Sequence, residues 1–349
     1  MIDYIIVGNG IAGSCFAEIA LQNNKSILVY DNNSQPSSRV AGGMYNPLVL
    51  KRFSEVWKAK EQLLFCNIFY ALIETKLAVK FDFKIPVYRK FTSIEEQNNW
   101  FLAADKPNLE SFLSTQLIQN NNENIKAPFG YGKVQQTGYL DVKVFVEEYS
   151  KFLEGLGVLN KEAFDYDSVV FEDNCISYNG INAKQIIFAE GFGLHSNPYF
   201  NDLPLDGTKG ELLLIKSPNL RLNEIINSSV FLIPIGNDLY KVGATYEWKD
   251  KTNLPTMEGK QELLDKLNEV ITCEYEVLEH FAGVRPTVKD RRPLVGRHNI
   301  HNNLYVLNGL GTRGVMLGPF LANQLFQNIE NNNPLDAEID IHRFYKKKS

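Results

Sequence analysis

Three glycines and one acid stand at intervals that suit the binding of a pyrophosphate and a ribose. Gly8-Asn9-Gly10-Ile11-Ala12-Gly13 follows the apolar run Asp3-Tyr4-Ile5-Ile6-Val7. A second apolar run, Ser26-Ile27-Leu28-Val29-Tyr30, ends at Asp31 and Asn32. Gly8 permits the tight turn, and Gly10 lets backbone approach a pyrophosphate. Gly13 lets the following helix pack close to the strand. The helix start at Ile11 and Ala12 then presents free N–H groups and a partial positive charge to the phosphates. Asp31, about twenty residues on, can accept hydrogen bonds from ribose hydroxyls. A carboxylate at that position argues against a ribose 2′-phosphate, so NADP is disfavoured, while FAD and NAD both remain.

Other chemistry-bearing residues lie far along the chain. Ala41-Gly42-Gly43-Met44 is small enough for backbone to approach a flat ligand. Ala189-Glu190-Gly191 ends an apolar run. Gly309-Leu310-Gly311-Thr312-Arg313-Gly314-Val315 opens the last helix with three glycines around an arginine, a second site for negative charge at a helix N-terminus. Arg285 is the candidate carboxylate ligand, because a guanidinium forks onto a carboxylate with two charge-assisted hydrogen bonds. An ion pair with Asp290 is the competing role for the same side chain. Arg313 and Tyr246 are further candidates for contact with a substrate, and Lys209, Arg52 and Tyr45 are candidates for the pocket rim.

The elements that position these residues follow from pattern. A helix is expected after Gly10, ending at Asn23-Asn24-Lys25. Val56, Leu63, Leu64, Ile68, Leu72 and Ile73 recur near the helical period and predict a helix from Ser54 to about Val79. Phe83–Tyr88 alternates like a strand, with Pro86 confining it to an edge or a bulge. Helices are expected over 95–104, 109–119 and 141–156, the last capped by Asp141. Gln185–Ala189 is apolar on both faces, as in a central parallel strand, so the chain is expected to return there to the first sheet. Strands over 209–216, 230–235 and 239–244, the last two joined by a Gly236-Asn237-Asp238 turn, lack βαβ spacing and predict a mostly antiparallel second sheet. A helix over 258–270, a strand over 303–307 and a closing helix complete the reading.

Length and charge bound the function. A chain of 349 residues suits two domains rather than one core. Its net charge of −5 argues against a dedicated nucleic-acid binder, and Lys346-Lys347-Lys348 reads as a solvated terminus. Cys15, Cys66, Cys175 and Cys273 are scattered and read mainly as core thiols, and the five histidines form no ligand pair, so no metal is expected. The first residues already form a strand and no apolar run reaches membrane length. A reduced, cytoplasmic protein without a leader is the expectation.

The stretch Gly283-Val284-Arg285-Pro286-Thr287-Val288-Lys289-Asp290-Arg291-Arg292-Pro293-Leu294-Val295-Gly296-Arg297-His298 resembles the C-terminal signature of the D-amino-acid-oxidase-like flavoenzymes, and within them the glycine oxidase branch. Val242-Gly243-Ala244-Thr245-Tyr246 resembles their substrate-domain strand. Gly309–Gly314, with Leu317-Gly318-Pro319, resembles their last flavin-binding element. The resemblance implies FAD, held without a covalent bond because Thr287–Arg292 contain no cysteine. It implies oxidation of a C–N bond in a small amino acid or secondary amine. It also implies an α/β fold: a Rossmann-like FAD domain (1–80, 140–205, 284–349) and a discontinuous α+β substrate domain (81–139, 206–283). Arg285, Arg313 and Tyr246 then face the substrate, and the glycine-rich segments hold the cofactor. Gly311-Thr312-Arg313-Gly314 resembles more closely the flavin half of a bifunctional enzyme that trims carboxymethylaminomethyl uridine in tRNA. Glycine oxidase carries its arginine one place earlier, where this chain has Thr312. A tRNA-modifying flavoenzyme and a non-catalytic flavin-binding partner are therefore the alternatives to a small-molecule oxidoreductase.

Overall fold

A computed structural model describes residues 1–173 and 175–345, so the Lys346-Lys347-Lys348 run lies outside the described residues. Among the described residues the chain builds two eight-stranded sheets. The first grows from the apolar opening run. Strand Ile2–Val7, with Tyr4, Ile5 and Ile6 fully buried, pairs in parallel with Ile27–Tyr30 on one side and with Ile181–Phe188 on the other. The C-terminal half of Ile181–Phe188 pairs in parallel with Leu304–Asn308. Strands buried on both faces read as continuous apolar runs, which is why this sheet centre was visible in the sequence. Antiparallel additions, Val169–Phe171, Ile176–Tyr178 and Leu294–Arg297, complete it with the short Leu159–Asn160.

Helices cover one face. The first, Ile11–Gln22, packs on the closing helix, Gly314–Asn331, where Gly318 allows close approach: a Cβ there would lie 3.3 Å from the Cys15 sulfur. Helix Ala59–Leu77 packs in turn on the closing helix. Its phase differs from the expectation. Leu64, Ile68 and Leu72 are exposed, whereas Leu63, Cys66, Phe69, Tyr70 and Ile73 are buried. The larger aromatic stripe takes the core, and the aliphatic residues one position away are left outside. The helix also starts later than expected, after a short strand at Ser54–Glu55.

The second sheet runs in the order Glu276–Arg285, Thr208–Lys216, Leu239–Gly243, Phe231–Pro234, Ile225–Asn227, Val87–Lys90, Tyr131–Val134, Leu113–Ile118. All neighbours are antiparallel except Ile225–Asn227 with Val87–Lys90. Leu263 and Leu267 of helix Met257–Asn268 pack on its Leu213, Ile215 and Val242. Two expectations fail here. The segment expected as a helix over 109–119 is the strand Leu113–Ile118, because its register with Tyr131–Val134 supplies the partner that local pattern cannot reveal. Val87–Lys90 is not an edge strand. Pro86 stands just before the ladder, where its carbonyl accepts from Ile225 N (3.0 Å) and no N–H is required of it. Helix Val142–Gly155 forms as expected, with Asp141 Oδ1 accepting from Val144 N at 3.4 Å.

The two sheets meet at a short helix, Ser37–Val40, where the Val40 side chain sits on Gly283 (a Cβ there would be 2.6 Å away). Cys15 and Cys66 are buried, while Cys175 and Cys273 are half-buried, and all four are free thiols. No helix among the described residues is long and apolar enough to cross a membrane.

Candidate active site and cofactor cavity

A cavity of about 930 Å³ runs from the end of strand Ile27–Tyr30, past the first helix N-terminus, to the second sheet. The first turn is shaped by contacts that only glycine allows. Gly8 has φ +97°, and a Cβ on it would lie 2.5 Å from Ala189 O. A Cβ on Gly13 would lie 1.8 Å from Gly8 O. Gly13 therefore packs helix against strand and does not line the cavity, whereas Gly8, Gly10, Ile11 and Ala12 do. Ile11 N donates to Ser38 Oγ at 3.2 Å. Tyr30, Asp31 and Asn32 line the next part of the wall. Burial raises the Asp31 carboxyl above its ordinary value, against hydrogen bonds from backbone Asn33 and Asn9 and the Arg39 guanidinium 4.0 Å away.

Ala41, Gly42, Gly43 and Met44 line the middle. Gly43 (φ +76°) passes so close to Leu140 O that a Cβ would be 1.8 Å from it. Gly42 faces the Phe231 ring, 2.9 Å from the position its Cβ would take. Opposite lie Ala189, Glu190 and Gly191. The Glu190 carboxyl accepts from Tyr166 Oη and from Asn197 Nδ2 (2.7 Å). Enclosure pushes its pKa up to about 7, although both hydrogen bonds pull the other way.

The closing loop contributes Gly311, Thr312, Arg313, Gly314 and Val315. Gly309 lies behind the wall, where a Cβ would press on Val288 at 2.6 Å. Arg313 is the cap residue of the closing helix. Its guanidinium donates to Asn46 O (3.0 Å) and Leu48 O (3.2 Å), tying that helix to the 44–50 segment.

Arg285 ends strand Glu276–Arg285 and enters the cavity from the second sheet. Its guanidinium lies across Gly210, where a Cβ would meet it at 1.9–2.3 Å, and 4.7 Å from the Tyr246 ring centre. Its Nη1 donates to Lys209 O (3.4 Å) and Thr245 O (3.3 Å). The competing partner is taken: Asp290 pairs with Arg343 at 2.9 Å. No carboxylate pairs with Arg285 or Arg313 among the described residues, and burial pulls both guanidinium pKa values below the ordinary value.

The rim candidates separate. Tyr45 lines the cavity and donates to Asp82 Oδ1 at 2.9 Å. Arg52 is exposed and outside it. Lys209 is fully buried behind the wall, its ammonium 2.5 Å from Asp250 Oδ2. Sequence reading missed Gly210, Phe231, Tyr166 and Asn197. Gly210 sits in an ordinary strand pattern, and only the strand partner opposite shows what its missing side chain admits.

These residues fit a dinucleotide: a helix N-terminus with a glycine turn, an acid at the ribose position, and a long cavity within the usual size of ligand sites. Glycine oxidase of Bacillus subtilis (strain 168) is 23% identical over 227 residues, 59% of this chain and 61% of that protein. The tRNA 5-methylaminomethyl-2-thiouridine biosynthesis bifunctional protein MnmC of Marinobacter nauticus is 25% identical over 209 residues, 52% of this chain and 33% of that protein. The chain thus spans less than two thirds of the length of either relative. The crystal structure of glycine oxidase from Bacillus cereus superposes with a TM-score of 0.79 at 18% identity, covering 96% of both chains. That of iminodiacetate oxidase from Chelativorans sp. gives 0.75 at 16%, covering 96% of this chain and 98% of the other. At these identities the likeness establishes the two-sheet fold. Residues 3–327 match the family described as FAD dependent oxidoreductase, and the chain therefore belongs to that family, DAO, and is an FAD-dependent enzyme.

Proposed function

We propose that the protein oxidises the C–N bond of a small amino acid or secondary amine whose carboxylate is held by Arg285, with FAD bound non-covalently. The observation that carries this reading is the Arg285 guanidinium, seated on Gly210 at the cavity wall with no carboxylate partner among the described residues. A bidentate grip there fixes the carbon next to the amine in one orientation. Tyr246 lines the same cavity with its ring centre 4.7 Å from that guanidinium, and its hydroxyl is the group that would hydrogen-bond the ligand. Phe231 presents an apolar ring that excludes water from the pocket. Among the described residues, the acids lining the cavity are Asp31, Glu162 and Glu190, all on connections of the first sheet. The substrate amine near Arg285 and Arg313 thus meets positive charge without a carboxylate. That lowers its pKa and favours the neutral amine needed to give up a hydride. The chemistry supplied by bound FAD is acceptance of that hydride. The closing helix N-terminus and Arg313 favour negative charge at the adjoining wall.

The test is an anaerobic titration with glycine, sarcosine and D-alanine. Bleaching of the flavin band by at least one of them is expected, and Arg285→Ala is expected to raise its half-saturation about 100-fold or more, the scale of a lost buried charge-assisted pair. A flavin left oxidised by a broad panel of small amino acids overturns the reading. A second reading places the carboxymethylamino group on a tRNA. Exposed Tyr246 and Trp248 on the loop that enters the cavity wall favour it, since bases stack on such rings. A salt-sensitive complex with tRNA would support it, and no binding at low salt would remove it.

A further inference from the structure

Glu190 places a carboxyl where negative charge is least favoured. It stands just beyond strand Ile181–Phe188 and lines the cavity together with Tyr166 and Gly191. Its backbone lies against the pyrophosphate turn: a Cβ on Gly8 would be 2.5 Å from Ala189 O and 3.2 Å from the Glu190 Cα. Its carboxyl is enclosed by two donors, Tyr166 Oη on one oxygen and Asn197 Nδ2 (2.7 Å) on the other. No cation pairs with it among the described residues. The charged groups on the surrounding elements are exposed or matched. Asp165 and Asp167, beside Tyr166, are exposed, and Asp165 accepts from Ser168 Oγ (2.6 Å) and Asp167 N (3.1 Å). His195, on the short helix Gly191–Ser196, is exposed and packs edge-on against Phe192. Asp31 faces Arg39 at 4.0 Å, Glu162 is exposed, Lys161 pairs with Glu154 at 2.6 Å, and Arg313 is held by Asn46 O and Leu48 O. Enclosure without a cation already holds the Glu190 pKa at about 7. The phosphates of bound FAD bring negative charge onto the Gly8 turn, and like charge raises a carboxyl further.

We propose that Glu190 meets the cofactor as the neutral acid, so that FAD binding in alkaline solution draws a proton onto its carboxyl and retention of FAD weakens as pH rises. The proton comes from solvent and joins the oxygen that faces Tyr166. The acid O–H then donates to Tyr166 Oη, while the other oxygen still accepts from Asn197. Tyr166 lines the cavity, and its own hydroxyl proton is released from Glu190 to donate to an oxygen of the cofactor. A carboxyl whose pKa is raised by binding lends its full share of affinity below the free-state value. It loses that share as pH climbs from there to the bound-state value. The proposal is independent of which amine is oxidised.

The experiment dilutes the holoenzyme into buffers of fixed ionic strength from about pH 6.5 to about pH 8.5, separates released FAD by ultrafiltration and reads Kd from its fluorescence. Kd is expected to rise about fivefold or more across that range, and the slope of log Kd against pH counts the protons taken up. Glu190→Gln is expected to flatten the profile, because its amide donates to Tyr166 and accepts from Asn197 as the neutral acid does. Tyr166→Phe removes a donor to the charged form and is expected to move the onset of weakening to higher pH. A flat profile in the unaltered enzyme overturns the proposal, and that result does not depend on any variant folding. A slope that survives in Glu190→Gln also overturns it and assigns the titration to another group, with Asp31 the first candidate. An affinity lowered equally at every pH in Glu190→Gln, with the slope retained, makes Glu190 merely structural and overturns it as well. If Glu190→Gln does not fold, Tyr166→Phe decides: an onset moved to higher pH supports the proposal, and an unmoved onset overturns it.

Discussion

The glycines in the cavity wall and behind it divide by what a methyl group would strike. At Gly210 the nearest atoms belong to the Arg285 guanidinium, 1.9–2.3 Å from the Cβ position. That is the far end of a flexible side chain, which can swing away. Gly210→Ala is therefore expected to fold with its FAD and lose affinity for a carboxylate ligand by about tenfold or more, measured by calorimetry. At Gly13 the obstacle is Gly8 O at 1.8 Å, a backbone atom that cannot move without opening the turn. Glycine spacing announced the role of Gly13 in the sequence. Gly210 was silent there, because its role is defined by a side chain 75 positions later.

Helix Ala59–Leu77 shows how an element is legible in kind but not in rotation. Its apolar residues announce a helix, yet two overlapping stripes compete for the core. Phe69 and Tyr70 pack edge to face at 5.5 Å, and the Tyr70 hydroxyl donates to Val315 O (2.7 Å) in the first turn of the closing helix. That contact supports the loop carrying Arg313, so the rotation of this helix bears on the site. Ile68→Lys is expected to leave the melting temperature nearly unchanged, since Ile68 is 57% exposed. Phe69→Ala is expected to cost about 3–5 kcal/mol in chemical denaturation, because the ring is 3% exposed and leaves a cavity. Strand Leu113–Ile118 teaches the same lesson more severely: six residues are too few for periodicity to decide between helix and strand when the partner is unknown.

At the scale of the molecule, the cavity belongs to neither sheet alone. Its walls combine the first turn, the 41–51 segment, the closing loop and the second-sheet residues Gly210, Gly243 and Arg285. A ligand that fills it ties both sheets and stabilises the folded state by mass action, about 2.7 kcal/mol at a free concentration 100 times Kd. Saturating FAD is expected to raise the melting temperature of apo-protein by several degrees in a thermal shift measurement, whereas AMP, the adenylate half alone, is expected to raise it less. Equal shifts would show that the second half of the cavity contributes nothing to cofactor binding.

The amino-acid sequence by itself determined the dinucleotide turn, the parallel centre of the first sheet and the antiparallel character of the second. Those depend on constraints over a few neighbouring residues: a positive φ, a missing Cβ, an apolar run buried on both faces. It also marked Arg285 and Arg313 as chemically capable. Only the tertiary structure decided that Asp290 goes to Arg343, leaving Arg285 to the cavity, and that Lys209 stays buried on Asp250. A charged side chain takes its role from the partner that reaches it first in space, and that competition among distant segments is settled by packing.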